Sequence, residues 1–328
     1  MTETLRLVAS GRYSRERKRA VFERTYIDPA GILLAGAAQA PAGTVIPGLG
    51  TVTDPVAGTI FFDLLPRATF SRFTPRVALE LRPREDLLLY AAVTNGFKSG
   101  GFNLQNNGET FSPESIWSYE LGMRADWAGG RLRTNVTGFY YDYEDLQVIR
   151  FDGLANNVSN ADARIYGLEL EMVARPSRDI ILDGSIAWLD AKYTRYLTLN
   201  SNFPGLGEVD LRGNRLPKSP ELTVTAGAEY SRQLGNAGEL TLRGELRYVS
   251  DIFFDQFETP ALNQDSYVLL NARVSFRSTD GRWSAALFGR NLANTTYYQS
   301  MVRVDQFFGT VATFGAPRTY GVELGVRF

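Results

Sequence analysis

A glycine-rich stretch that contains a lysine is the first candidate for chemistry, because such loops can hold phosphate. It covers residues 95–103, NGFKSGGFN, and follows the alternating run of residues 86–94. Phosphate-binding loops lead into a helix whose N-terminus faces the anion. The residues that follow here, NLQNNGETFSPES, have no helical periodicity. We therefore interpret Gly96, Gly100 and Gly101 as positions that permit positive φ where a strand turns sharply.

The composition removes several classes of chemistry. The 328 residues include no histidine and no cysteine, and the formal net charge is -1. Imidazole acid–base catalysis, serine–histidine hydrolysis, thiolate metal sites and disulfides are thereby excluded. The carboxylates of Asp142–Asp145 (DYED) lack the spacing of a calcium loop. We predict no enzyme activity, no cofactor, no metal site and no nucleic-acid partner.

Aromatic, arginine and amide side chains concentrate in the longer breaks between alternating runs. Aromatic faces and arginines suit an anionic ligand, through stacking and charge-assisted hydrogen bonds. The alternative is that these aromatic residues form a girdle at a membrane interface. The candidate ligand-binding residues are Lys98, Phe102, Asn103, Tyr193, Arg195, Tyr196, Arg212, Arg215, Gln256, Phe257, Tyr297, Tyr298, Arg303 and Phe307.

The elements that must position these residues are long strands with two different faces. The closing residues 320–328, YGVELGVRF, alternate strictly between apolar residues and glycine or charge. Runs of this kind predict about twelve strands, many of ten or more residues, the length that a tilted strand needs to cross a bilayer. Trp117 and Trp127 share one face ten residues apart, which matches the height of a membrane barrel's apolar band.

The breaks between strands alternate between long and tight, as in outer-membrane barrels. The long breaks are Tyr26–Ala68, Phe97–Ser112, Arg150–Ala161, Tyr193–Leu216, Phe254–Asn263 and Ala293–Ala316. The tight turns begin at Arg82, Trp127, Ala174, Gln233 and Arg277 and are rich in Pro, Gly, Asp and Asn. This order places both chain ends on the short-turn side.

Charged residues alternate with the apolar ones and are predicted to face a wet lumen. They are Glu120, Arg124, Arg133, Glu169, Arg243, Glu245, Arg247, Arg273 and Glu323. The alternative roles are contact with a plug domain or simple pairing across strands at a wetted wall. A soluble sandwich would have to bury such charges at high cost. The membrane interpretation fails if Leu240, Leu242, Leu246, Tyr320, Val322 and Leu324 share an enclosed interior and Arg243 and Arg247 lie on the convex exterior.

Six motifs in order resemble the TonB-dependent receptors, the energised importers of Gram-negative outer membranes. They cover most of the chain from about residue 69 onward, and together they are specific, although each alone is weak. The motifs are LLLYAAVTNGFKSGGFN (Leu87–Asn103), FSPESIWSYELGMR (Phe111–Arg124), GFYYDYEDLQV (Gly138–Val148), IYGLELE (Ile165–Glu171), GRNLANTTYY (Gly289–Tyr298) and PRTYGVELGVRF (Pro317–Phe328).

The resemblance implies that residues 1–328 are the C-terminal β-barrel portion of such a receptor, without the plug domain or a signal peptide. The expected fold is all-β: an antiparallel up-and-down transmembrane β-barrel portion of about twelve strands, closed or partly open. The implied function is uptake of a large nutrient, most simply a ferric siderophore, in the cell outer membrane. The alternatives are a passive plugless channel and an inactive truncated fragment.

The resemblance also implies the partners. They are a metal chelate or other large nutrient, outer-membrane lipid, and the barrel-assembly machinery, which in this family reads a terminal aromatic residue, here Phe328. TonB itself would act only through the missing N-terminal plug.

Overall fold

The computed structural model describes residues 4–20, 22–27, 45–46, 50–52, 59–64, 66–103, 109–152, 155–200, 207–305 and 309–328. Twelve long strands form one sheet in chain order, and every neighbouring pair is antiparallel. The strands are β1 (Leu5–Arg19), β2 (Arg67–Arg84), β3 (Leu87–Lys98), β4 (Glu114–Trp127), β5 (Leu132–Asp152), β6 (Ala155–Ala174), β7 (Ile180–Arg195), β8 (Leu222–Gln233), β9 (Gly238–Val249), β10 (Tyr267–Ser278), β11 (Trp283–Arg290) and β12 (Thr319–Val326).

One face of the sheet is apolar from strand to strand. Leu242 pairs with Tyr230 on one side and Val274 on the other, and the same row continues through Leu287 to Val322. Directly opposed residues project from the same side of an antiparallel sheet, so this row is one continuous apolar strip. Much of it is exposed: Val322 is 65% exposed.

The opposite face carries the charges. The row next to the apolar strip runs from Glu229 through Arg243 and Arg273 to Phe288 and Gly321. Side chains of alternate residues point to opposite faces. The register therefore places all nine predicted lumen-facing residues on this one charged face.

The charged face is the concave one. Three contacts on this face join strands that are not neighbours but are separated by one intervening strand. They are Arg243 to Asp183 at 3.0 Å, Tyr90 to Thr137 at 3.0 Å, and Arg273 to Glu323 at 2.6 Å. Side chains converge on the inner side of a curved sheet and diverge on the outer side. Leu240, Leu242 and Leu246 therefore lie on the convex face and Arg243 and Arg247 on the concave face, as the membrane interpretation requires.

The sheet is open among the described residues. β1 pairs only with β2, and β12 pairs only with β11. No helix in the described part of the chain is both long and apolar enough to span a membrane. The structure confirms the predicted all-β barrel portion of about twelve strands, in its partly open form.

The alternation of tight turns and long connections is also confirmed, with one correction. The predicted long break Arg150–Ala161 is wrong, because β5 and β6 stay paired out to Asp152 and Ala155 and form a projecting hairpin. The other connections contain short strands of their own, which alternation did not predict. They are Phe22–Ile27, Thr59–Leu64, Gly50–Val52 and Val45–Ile46 in one small sheet, and the pairs Gly101–Asn103 with Glu109–Phe111, Leu197–Leu199 with Glu208–Asp210, Ile252–Phe253 with Asn263–Gln264, and Tyr298–Asp305 with Gly309–Phe314. A 3-10 turn covers Pro260–Leu262.

Candidate ligand-binding rim

The glycine-rich stretch forms a tight strand exit, but for a different reason from the one predicted. Its glycines are absent from the positive-φ residues of the described chain. A Cβ on Gly100 would overlap the carbonyl oxygen of Phe111, and one on Gly101 would lie 2.6 Å from the Phe111 ring. Glycine is therefore required by close packing of the hairpin Gly101–Asn103 against Glu109–Phe111.

The three candidates in this stretch differ in accessibility. Lys98 is 62% exposed and its Nζ lies 3.7 Å from Glu114. Phe102 is half-buried. Asn103 is 7% exposed, donates to the carbonyl of Val158 at 2.9 Å and accepts from the Val158 N–H at 2.7 Å. Asn103 thus ties its hairpin to the β5–β6 hairpin and is not placed to touch a ligand.

Tyr193, near the end of β7, and Tyr196, just after it, form the core of the connection between β7 and β8. Each is 2% exposed, and their ring centroids lie 5.0 Å apart. They pack with Ala161, Ala163 and Leu211, and the hydroxyl of Tyr196 is 2.8 Å from that of Ser159. Burial raises the pKa of Tyr193 well above its usual value. The prediction that these two rings contact ligand does not fit their burial; they hold the loops together.

Arg195 and Arg212 are the accessible arginines of the same loop. Arg195 is 70% exposed and forms a 2.7 Å ion pair with Asp162. Burial raises the pKa of the Asp162 carboxyl, but hydrogen bonds from Arg195 and from the N–H of Asp145 lower it more, so the pKa lies below its usual value. Arg212 is 69% exposed and lies 3.8 Å from Asp210.

Arg215 is an internal ionic centre rather than an exposed cation. Its side chain is 16% exposed and lies 2.7 Å from Asp251, with Glu221 and Glu258 each at 3.9 Å. Its guanidinium sits 4.7 Å from the centroid of the Phe253 ring. Arg215 therefore joins the loop after β7 to the loop after β9. Its acidic partners gave no signal in the sequence, because two of them lie about 40 residues away.

The remaining candidates lie in the last two long loops. Gln256 is 9% exposed, and its backbone carbonyl oxygen accepts a hydrogen bond from the Asn214 side-chain amide at 3.1 Å. Phe257 packs against the Tyr193 cluster. Tyr297 stacks on Tyr267 at 4.8 Å.

Tyr298 packs on Phe314 at 4.9 Å between centroids. Arg303 is partly buried on the hairpin Tyr298–Asp305, and Phe307 lies outside the described residues.

We call the end of the sheet that carries the long connections the rim. The concave wall below it is a network of paired charges. Arg243 lies 3.0 Å from Asp183, 2.8 Å from Glu245 and 3.8 Å from Glu229. Arg133 forms a 2.7 Å pair with Asp126. The lumen-facing residues predicted from the sequence do not include Asp183, Glu229 or Asp126. The register supplies the signal: Glu229 is directly opposite Arg243, Asp126 is directly opposite Arg133, and Asp183 is separated from Arg243 by one intervening strand.

Two further members of the wall contact uncharged groups. The hydroxyl of Ser118 donates to Glu120 at 3.0 Å, and the guanidinium of Arg124 lies 5.8 Å from the Tyr90 ring centroid. Within the described residues, no cluster of three or more His, Cys, Asp or Glu side chains could hold a metal ion. The wall therefore offers polar and charged contacts, and the long connections above it offer the exposed arginines and aromatic rings.

The family model and the similar proteins of known function all concern one protein family. The family described as TonB dependent receptor-like, beta-barrel matches residues 1–292. The chain is 23% identical over 263 residues to the ferric-pyoverdine M114 receptor PbuA of Pseudomonas sp. (strain M114), covering 78% of this chain and 29% of that receptor. It is 25% identical to the metal-pseudopaline receptor CntO of Pseudomonas aeruginosa (strain UCBPP-PA14), over 61% of this chain and 27% of that receptor.

Solved structures show the same fold. The ferric yersiniabactin uptake receptor FyuA from Yersinia pestis aligns over 100% of this chain and 44% of its own, with a TM-score of 0.74 and 18% sequence identity. An identity this low is evidence for the fold alone. The chain spans less than half the length of these relatives.

Proposed function

The chain belongs to the TonB-dependent receptor family, in its β-barrel part, and we propose that it forms the ligand-facing wall of an outer-membrane receptor that takes up a ferric siderophore. Members of the family are receptors and transporters rather than enzymes, and their barrels are outer-membrane proteins. The names of the curated relatives, a ferric-pyoverdine receptor and a metal-pseudopaline receptor, support a metal chelate as the cargo. Energised transport would require the plug domain and TonB as partners.

The observation that carries the proposal is the set of exposed cations at the long-loop rim. Lys98, Arg195 and Arg212 come from two different long loops and are 62%, 70% and 69% exposed. Exposed guanidinium groups can form charge-assisted hydrogen bonds to a carboxylate or catecholate oxygen. Tyr297 and Tyr298 add aromatic surface in a third loop.

A titration tests the cargo class. The purified chain in detergent micelles is titrated with an anionic ferric tris-catecholate and with a ferric tris-hydroxamate, and quenching of tryptophan fluorescence is measured. We expect saturable quenching by the tris-catecholate. The double variant Arg195→Ala/Arg212→Ala should weaken binding on the order of tenfold, since each ion pair made by an exposed arginine is worth up to about 1 kcal/mol.

The matched control removes the same charge at the opposite rim. Arg178 and Arg282 lie exposed in two of the tight turns, so Arg178→Ala/Arg282→Ala should leave the titration unchanged. Equal weakening by both double variants, or no saturable quenching by either chelate, would contradict the proposed cargo.

The passive channel is a weaker candidate because a pore needs a closed wall. β1 and β12 are not paired with each other in the described part of the chain. Planar-bilayer recording separates the two functions: reproducible open steps of one size would favour the channel over the receptor.

A further inference from the structure

The end of β1 concentrates positive charge on the convex face. Residues 15–19 read RERKR, and in an extended strand the odd and even positions point to opposite sides. Glu16 and Lys18 therefore share the concave side, where they lie 4.0 Å apart and Lys18 donates to the carbonyl of Gly100 at 2.7 Å. Arg15, Arg17 and Arg19 share the convex side, and the only carboxylate of the run is turned away from them.

The neighbouring strand adds a fourth arginine to the same face. The register pairs Arg15 with Ser71, Arg17 with Thr69 and Arg19 with Arg67. We call Arg15, Arg17, Arg19 and Arg67 the arginine patch. All four side chains are exposed, and no carboxylate whose side chain the structure describes lies within salt-bridge distance of them.

The arginine patch lies directly beyond the apolar band of the same two strands. Below it the opposed pairs are Tyr13 with Phe73, Ala9 with Val77, Leu7 with Leu79 and Leu5 with Leu81. Tyr13 is 66% and Phe73 59% exposed. Aromatic rings at the end of an apolar band mark the level of the lipid headgroups. The arginines are therefore placed at and just above that level, on the side of the long loops.

We propose that the arginine patch binds the phosphate groups of anionic lipids in the outer leaflet of the membrane. This rests on the membrane placement proposed above. Guanidinium groups match phosphate with two parallel hydrogen bonds, and basic residues at a membrane surface are attracted to anionic headgroups. Paired arginines such as Arg243 and Arg273 occupy the concave face, whereas the arginine patch has no ion-pair partner among the described side chains and lies on the apolar, convex face.

The test compares two triple variants with equal loss of charge. Arg15→Gln/Arg17→Gln/Arg19→Gln removes three patch arginines, and Arg6→Gln/Arg12→Gln/Arg76→Gln removes three from the concave face of the same strand pair. Each full-length chain is inserted in phosphatidylcholine vesicles, and binding of fluorescent lipid A, a bisphosphorylated lipid, is measured at low salt. The patch variant should bind on the order of 100-fold more weakly, about fivefold per arginine, and the concave-face variant should bind like the unmodified chain.

Further measurements separate the lipid site from the membrane placement. Insertion into pure phosphatidylcholine tests the membrane placement alone, so a chain that inserts but does not bind lipid A overturns only the patch proposal. Binding by the unmodified chain should fall as salt rises, and Arg15→Lys/Arg17→Lys/Arg19→Lys should retain most of it. Equal loss in both triple variants, binding indifferent to salt, or full displacement by excess inorganic phosphate would each overturn a site for lipid headgroups.

Discussion

At the scale of single residues, Arg215 shows how a candidate ligand contact can be a structural element. Its guanidinium neutralises two carboxylates of the loop after β9 while only 16% of the side chain is exposed. Arg215→Ala should leave Asp251 and Glu258 without their cation and lower the free energy of unfolding by about 2–3 kcal/mol. Urea unfolding of the chain in micelles, followed by tryptophan fluorescence, measures the loss.

The control for Arg215 lies three residues away in the same loop. Arg212 is 69% exposed and its nearest carboxylate is at 3.8 Å. Arg212→Ala should change the free energy of unfolding by within about 0.5 kcal/mol. If the two variants unfold alike, Arg215 is not an internal ionic centre.

Asp162 gives the rim a defined acid response. Its pKa is lowered in the folded protein, because hydrogen bonds from Arg195 and the N–H of Asp145 outweigh burial, the largest single effect, which raises it. A carboxyl with a depressed folded pKa contributes stability that is fully present above its unfolded pKa of about 3.9. That contribution is lost as the pH falls through the lower, folded pKa. Protease cleavage of the β5–β6 hairpin, which carries Asp145 and Asp162, should therefore accelerate below about pH 4.

Replacing the carboxyl isolates this response from other acidic groups. Asp162→Asn should make cleavage of the β5–β6 hairpin faster at neutral pH, and should remove part of the further acceleration below about pH 4. An acid-stable protease, with the cleavage site identified by mass spectrometry, gives the readout. A variant whose pH profile parallels that of the unmodified chain would show that Asp162 does not contribute.

At the scale of strands, a glycine in β4 allows side chains from β3 and β5 to contact each other across it. Tyr90 on β3 passes over Gly122 to reach Thr137 on β5, 3.0 Å between hydroxyl oxygens, and a Cβ on Gly122 would overlap the Tyr90 ring. Gly122→Ala should displace the ring and cost about 1–3 kcal/mol of unfolding free energy. Gly244→Ala in β9 is the matched control, since nothing lies within 4 Å of the added Cβ.

A double variant identifies the cause. Tyr90→Ala removes both the ring and the hydrogen bond, so Gly122→Ala should add little further cost in that background. Additive costs in the two-variant cycle would mean that the Gly122 effect does not come from the ring.

The strands and their faces could be predicted from the sequence because alternation with period two is a local signal. Alternation alone places Leu242 and Arg243 on opposite faces, without any information on the neighbouring strands, and the register agrees. The rim could not be predicted in this way. Tyr193 is buried by Ala161 and Ala163, which lie about thirty residues away in the chain, and Arg215 is buried by carboxylates from another loop. Aromatic and arginine residues in a loop look alike in sequence whether they face a ligand or each other.

At the scale of the whole molecule, the two edges of the sheet decide between receptor wall and pore. Strand tilt and stagger are linked to barrel size, so a sheet curved for a wide barrel resists closing on itself with twelve strands. The chain contains no cysteine, which allows a direct test by engineered disulfides. Glu323→Cys on β12 is combined in turn with Val8→Cys, Ser10→Cys, Arg12→Cys or Ser14→Cys on β1, all on the concave side, to cover several registers.

We expect none of these four seam pairs to oxidise within one chain, whereas Ser284→Cys/Gly325→Cys should oxidise readily. The latter residues are opposed in the β11–β12 register, and a Cβ on Gly325 would overlap the Ser284 hydroxyl. Disulfides need Cα atoms within about 7 Å, so the bond reports direct adjacency of strands. Mobility on non-reducing gels separates an intrachain bond from a dimer. A rapid intrachain bond at the seam would mean that twelve strands close alone, because only closure brings β1 beside β12; the edges would then be satisfied without further strands, and the pore would become the better account of the molecule.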